Sequence, residues 1–158
     1  MTPLYQAMLS QAVYGQMLSV RDVSQFSAAE IRQTMADLVA VNRVDLANAL
    51  AAAGQSLYPD SEDILAISAL LAEIQQDWTG AEELLRKLFD TQGAAATTST
   101  WRHLIRVLRC QCEPGLALQV AQQAMAAYPD EDTLRDEFLA LQELVSAQVP
   151  VSTSTHLH

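Results

Sequence analysis

The sequence predicts an all-α fold, an α-α superhelix of about three helical hairpins, on three observations. A marker pattern returns three times, as Ile31…Ala47…Pro59, Leu65…Ala81…Gly93 and Trp101…Ala117…Pro129, with copies offset by 34 and then 36 residues at every marker. A large residue, a small one sixteen positions on and a closing breaker at this period indicate stacked helix pairs, none of which buries its apolar face alone. Ala and Leu, both strong helix formers, dominate, and Val-Ile-Thr runs of strand length are scarce. Half of the 158 residues are hydrophobic, with only 5 Gly and 5 Pro, so the chain can bury a core and is not of disordered composition. The expected organisation is one repeat domain over 1–147, with repeats at about 28–61, 62–97 and 98–130 and a capping helix at 131–147. A mobile tail follows at 148–158.

The elements follow in order. Leu4, Met8, Val13, Met17 and Val20 form a helix-like stripe over residues 3–20, broken only by Gly15. Ser27 and Glu30 have the spacing of a capping box, and Phe26 and Ile31 that of the hydrophobic staple across it. They launch a helix over about 28–41. A polar connection at Asn42 to Asp45 leads to a helix over about 45–57, ended by Tyr58-Pro59-Asp60, where proline lacks an amide hydrogen and fixes its own φ. The second hairpin has helices over about 61–76 and 80–90, the latter opened by the capping-box pair Thr79 and Glu82. The Gly- and Thr-rich stretch 91–100 is expected as a loop absorbing the two extra residues of the third repeat. Helices over about 99–112 and 115–128 flank the turn Glu113-Pro114-Gly115, and Tyr128-Pro129-Asp130 repeats the earlier closing signal. The last helix, about 131–147, starts with acids suited to the positive end of its dipole and is expected to bury Leu134, Phe138, Leu141 and Leu144 or Val145.

These residues resemble the tetratricopeptide repeat (TPR), whose consensus runs Trp-x2-Leu-Gly-x2-Tyr, Ala-x3-Phe, Ala, Pro. Trp101-x2-Leu104, Leu108, Ala117-x3-Ala121, Ala124 and Pro129 match it best. Leu65, Ala69, Ala72, Ala81-x3-Leu85 and Leu88 form a second copy, and Ile31, Leu38, Ala47-x3-Ala51, Gly54 and Pro59 a third. The small residue expected early in the first helix is replaced by Met35 and Ile105 in two copies. A looser resemblance is to the small TPR-like chaperones and accessory proteins of bacterial type III secretion, through size, acidity and the stretch Tyr58-Pro59-Asp60…Ala81-Glu82-Glu83-Leu84-Leu85-Arg86.

The TPR resemblance implies that the first helix of each hairpin lines a groove for a protein segment. Carried over by position, the groove residues are Arg32, Ala36 and Val39, then Ala66, Leu70 and Glu73, then Arg102, Arg106 and Arg109. The last three fall at i, i+4 and i+7, one face of one helix, and reverse the local charge of an acidic chain. Arg suits bidentate capture of carboxylates. The stripe therefore either anchors an acidic segment or C-terminal carboxylate of a partner, or pairs with acids on the neighbouring helix, or is a solvated face. The function expected is a non-enzymatic scaffold, adaptor or export chaperone. The alternative is a structural or surface-associated accessory protein of a bacterial secretion apparatus that acts by self-association. The N-terminal stripe is the expected route to a homo-oligomer, or else a cover for the groove.

Several classes are disfavoured. A net charge of −10, from 19 acids against 9 basic residues, repels a phosphate backbone, so no nucleic acid is expected; the acidity selects basic partners or serves solubility. No stretch approaches the roughly 18 apolar residues of a membrane span. Cys110 and Cys112 give no disulfide framework, and without a basic signal region the chain reads as cytoplasmic. Two residues apart on a helix point about 200° apart, so the two thiols do not chelate one ion and are expected as small core residues. His103 adds little, and His156 and His158 lie in the tail. No phosphate loop, nucleophile elbow or metalloprotease motif occurs, so neither a catalytic residue nor a cofactor or metal is assigned.

Overall fold

The computed structural model describes residues 1–13 and 19–149, in which every regular element is helical. Gly15, Met17 and the tail from Pro150, with His156 and His158, lie outside the described residues, as do the side chains of Val13 and Val20. The chain divides into two compact units, Met1–Ala96 and Thr97–His158.

Unit 1 opens with α1 (Pro3–Val13) and a single turn, α2 (Val20–Val23). Thr2 caps α1 by accepting the Tyr5 amide hydrogen at 3.2 Å, and proline fits the first helical position because no intrahelical partner is lost there. Leu4, Tyr5 and Met8 are buried in one core with Val23, Ile31, Met35, Leu38 and Leu50. The described apolar residues of the N-terminal stripe already cover the face of the first hairpin.

The two hairpins of unit 1 are α3 (Ala28–Ala40) with α4 (Val44–Leu57), and α5 (Glu62–Ile74) with α6 (Trp78–Gln92). The capping box of α3 forms as expected: Ser27 Oγ accepts from the Glu30 amide at 3.2 Å, and the Ser27 amide donates to Glu30 Oε2 at 2.9 Å. The Ser27 amide and hydroxyl, both donating to Glu30 Oε2, hold the Glu30 carboxyl below its ordinary range. Ile31 is buried, and Phe26 packs on the same core. Tyr58 closes the hairpin, its hydroxyl donating to the Phe26 carbonyl at 2.6 Å. Gly54 lies where an added Cβ would meet Ile31 and Ile64 at 3.3 Å, so α4 approaches its neighbours too closely for a larger residue to fit easily.

The start of α6 differs from expectation. Its cap is Asp77, whose Oδ1 accepts from the Gly80 amide at 3.0 Å, and Thr79 lies inside the helix. Any Cβ on residue 80 would stand 2.3 Å from Asp77 Oδ2, so glycine there lets the carboxylate fold over the helix end. The expected loop at 91–100 is also shorter: α6 runs to Gln92, and Gly93 (φ 55°) leads through a 3₁₀ turn, Gly93–Ala95.

Unit 2 contains α7 (Thr98–Cys110), α8 (Pro114–Ala127) and α9 (Asp132–Gln148). Thr97 caps α7 through the Thr100 amide at 3.2 Å. Leu104, Ile105, Val107 and Leu108 are buried, as are Ala117, Ala121 and Ala124 of α8 and Leu134 and Leu141 of α9. The three alanines, four and three residues apart, let α8 lie close to its neighbours.

A feature that sequence patterning missed recurs in every hairpin. Asn42, Gln76 and Cys112 have φ of 59°, 61° and 61°, spaced by the same 34 and 36 residues as the markers. Each is the left-handed residue of a Schellman turn. The amides of Arg43, Asp77 and Glu113 reach back to the carbonyls of Leu38, Ala72 and Leu108 at 2.8, 2.9 and 3.0 Å. The turn thus fixes where each first helix stops and satisfies carbonyls that would otherwise be orphaned.

Candidate functional site

The expected groove residues fall into two groups, one in each unit. In unit 1, α3 and α5 lie side by side, and Arg32 Nε stands 3.4 Å from Asp63 Oδ1 across them. Both side chains are about half exposed (48% and 53%), so the pair adds little stability, in the range of about 0–1 kcal/mol. Ala36, Val39 and Glu73 are half-buried, whereas Ala66 and Leu70 are exposed, Leu70 by 40%. The two stripes form one mixed surface: apolar in its middle, with a cation at one end and Glu73 at the other.

In unit 2, Arg102, Arg106 and Arg109 are all exposed on α7. The inward residues of α7 hold this face outward, since Leu104, Ile105 and Leu108 occupy the core. Arg109 Nη1 donates to Glu137 Oε1 of α9 at 3.0 Å. Pairing with an acid on the neighbouring helix, one of the expected readings of the stripe, is therefore realised at Arg109. Beyond this pair the C-terminal ends of α7 and α9 enclose a cleft of about 460 Å³, lined by Arg106, Arg109, Cys110, Cys112, Pro114, Leu144 and Gln148. Arg102, near the start of the helix, does not line it.

Two corrections concern this cleft. Cys110 and Cys112 are exposed, not core residues. The helix stops at Cys110, and the left-handed turn at Cys112 swings the chain around, so the 200° separation of a continuous helix does not apply. Of Leu144 and Val145, the alternatives expected in the core, Val145 is the half-buried one, and Leu144 is 44% exposed and forms the apolar wall of the cleft. The alignment of Cys112 with Asn42, a residue that tolerates left-handed backbone, was the signal in the sequence that a turn stands there. Nothing in the repeat pattern pointed to Leu144 or Gln148, which follow the last repeat.

The first helical hairpin carries the clearest electrostatic perturbation. Arg43 Nε and Nη2 donate to Asp45 Oδ1 and Oδ2 at 3.0 and 2.9 Å, a bidentate pair that lowers the Asp45 carboxyl to about 2. It secures the start of α4, not a reactive centre. Among the described residues, no three His, Cys, Asp or Glu side chains gather as a metal site requires, and no helix is long and apolar enough to cross a membrane.

Comparison with known proteins places this architecture. YrrB, described as a TPR protein with an unusual peptide-binding site, superposes with a TM-score of 0.61 at 18% identity, over 77% of this chain and 63% of that one. The fold is TPR-like. Acl4, an assembly chaperone of RpL4, superposes with a TM-score of 0.51 at 15% identity, over 91% of this chain and 57% of that one. The chain thus spans less than two thirds of the length of either structure. No protein-family model matches the sequence, and no curated protein matches it.

Proposed function

We propose that this TPR-like chain is a non-enzymatic interaction module that holds a protein segment, as scaffold, adaptor or export chaperone. The primary contact is the cleft between α7 and α9. The observation that carries this reading is the convergence of Arg106 and Arg109 with the exposed Leu144 in one concave space. A segment with a carboxylate beside an aliphatic side chain satisfies both: the guanidiniums take the carboxylate in charge-assisted hydrogen bonds, and Leu144 with Pro114 takes the apolar group. Arg109 exchanges Glu137 for the ligand, so its positive charge is never left without a counter-charge. Within unit 1, Arg32, Ala36, Val39, Ala66, Leu70 and Glu73 offer a second, separate surface for a protein segment. The fold shared with YrrB and Acl4, one named for a peptide-binding site and the other for assembling a protein, supports a binding role.

A display library of random dodecamers, selected on the protein, tests the reading. Bound sequences are expected to place Asp, Glu or a C-terminal carboxylate next to Leu, Ile or Val. Arg106→Ala together with Arg109→Ala should weaken the selected peptides about 10- to 100-fold, the loss of one or two charge-assisted contacts. Absence of acidic peptides from the selection, or unchanged affinity of the acidic peptides in the folded double variant, overturns it.

A further inference from the structure

A second cleft, of about 320 Å³, opens in unit 1 on a different side of α5 from Ala66, Leu70 and Glu73. It is lined by Asn48, Ala51, Ala52 and Gln55 of α4, Ser68, Leu71, Ala72 and Gln75 from α5 and its C-cap, Asp77, the N-cap of α6, and Leu84 of α6. Its origin is visible in the repeat. At equivalent positions α3 carries Thr34 and Leu38 and α7 carries Leu104 and Leu108, whereas α5 carries Ser68 and Ala72. The missing side-chain volume leaves the space open.

Two observations indicate that this space is more than a packing defect. Ser68 is 97% removed from solvent (3% exposed), and its Oγ has no hydrogen-bond partner among the described residues, a cost that native interiors rarely tolerate without reason. The rim is ordered by a reciprocal amide pair: Asn48 Nδ2 donates to Gln75 Oε1 at 2.7 Å, and Gln75 Nε2 donates back to Asn48 Oδ1 at 2.9 Å. Each amide oxygen keeps a lone pair beyond that bond. Asp77 adds a carboxylate at the edge, and no cation is among the lining residues. The floor of Ala51, Ala52, Leu71, Ala72 and Leu84 is aliphatic. Unit 1 as a whole carries twelve Asp and Glu against five Lys and Arg.

We propose that this cleft receives a lysine side chain of a protein partner. The four-carbon stem lies on the aliphatic floor, and the ammonium donates to Asp77 and to the outward oxygens of the Asn48–Gln75 pair, with Ser68 Oγ as a further acceptor. The site is separate from the α7–α9 cleft and stands or falls independently of it.

The test is titration of the full chain with acetyl-Ala-Lys-Ala-amide and with its norleucine counterpart, which keeps the stem and loses the charge. The readout is the side-chain amide resonances of Asn48, Gln55 and Gln75 in nitrogen-resolved spectra. The lysine peptide is expected to shift them saturably and the norleucine peptide to leave them in place. Asp77→Asn, which retains a capping oxygen for α6, should weaken the lysine peptide about tenfold, and Ala72→Leu should abolish the shifts by filling the cleft. Equal response to both peptides, or a lysine response that persists in Asp77→Asn, overturns the proposal: the first leaves an apolar hole, the second only general attraction to an acidic protein. Asp77→Asn decides the outcome if Ala72→Leu fails to fold by circular dichroism.

Discussion

α5 and α7 occupy the same place in successive repeats and differ in side-chain size at four aligned inward positions and in charge on the outward face. At these four positions α5 presents Leu65, Ser68, Ala69 and Ala72, where α7 presents half-buried Trp101, Leu104, Ile105 and Leu108; Ile64 and Leu71 of α5 and Thr100 and Val107 of α7 are buried beside them. Outward, α5 presents Ala66, Leu70 and Glu73, and α7 presents Arg102, Arg106 and Arg109. The small inward residues of α5 let α3, α4 and α6 close around it but leave a polar cleft beside it. The large inward residues of α7 fill their own surroundings, and the opening in that unit lies at the helix end, against α9. One repeat pattern thus yields two kinds of recess, set by where side-chain volume is missing.

The strongest way to break this comparison is to delete volume from each helix. Leu108 is fully buried, so Leu108→Ala should cost about 2–5 kcal/mol, transfer and cavity terms together. Ser68→Ala removes a buried hydroxyl that has no partner and should leave stability unchanged or raise it by up to about 1 kcal/mol. Urea denaturation of the two variants measures both. Equal costs would mean that α5 is packed as fully as α7 and that the cleft beside it is closed in solution.

How far the sequence made this legible depends on the kind of signal. Ser27 with Glu30, and the two Tyr-Pro-Asp closings, marked helix ends because caps and prolines act locally, through one or two hydrogen bonds or their absence. The TPR resemblance assigned the nine groove residues by position, and seven of them are half-buried or exposed on first helices without lining the α7–α9 cleft. Only Arg106 and Arg109 line it. Cys110, Cys112, Leu144 and Gln148 escaped because their exposure depends on the turn after α7 and on how α9 packs, neither of which a single-helix pattern encodes. The cap of α6 was misplaced for a related reason. Thr79 with Glu82 has the right spacing, but the Schellman turn after Gln76 delivers Asp77 to the helix end first.

A smaller effect separates the two turns that follow α5 and α7. Asp77 caps α6, whereas Glu113, at the same place before α8, makes no side-chain cap. Asp77→Ala should therefore cost about 1 kcal/mol, and Glu113→Ala almost nothing, by thermal or urea unfolding. A comparable loss at Glu113 would show that the acids act through general helix-dipole electrostatics instead of the Asp77–Gly80 hydrogen bond.

The smallest effect sharpens the comparison at the residue just before those caps. Gln76 and Cys112 hold left-handed backbone that an L side chain disfavours, and Asn42 holds the same conformation with a residue better suited to it. Glycine adopts this conformation without steric cost but loses more chain entropy on folding, so the gain is the difference of the two terms. Gln76→Gly and Cys112→Gly should each raise stability by about 0.5–1 kcal/mol, and Asn42→Gly should change it by only a few tenths. The three variants share one hydrogen-bonding geometry, so any inequality between Gln76 and Cys112 reports on their side chains. Cys112 lines the α7–α9 cleft and Gln76 lines neither cleft. A gain at Gln76 with a loss at Cys112 would therefore mean that the thiol packs against the cleft wall strongly enough to outweigh the strain of its own turn.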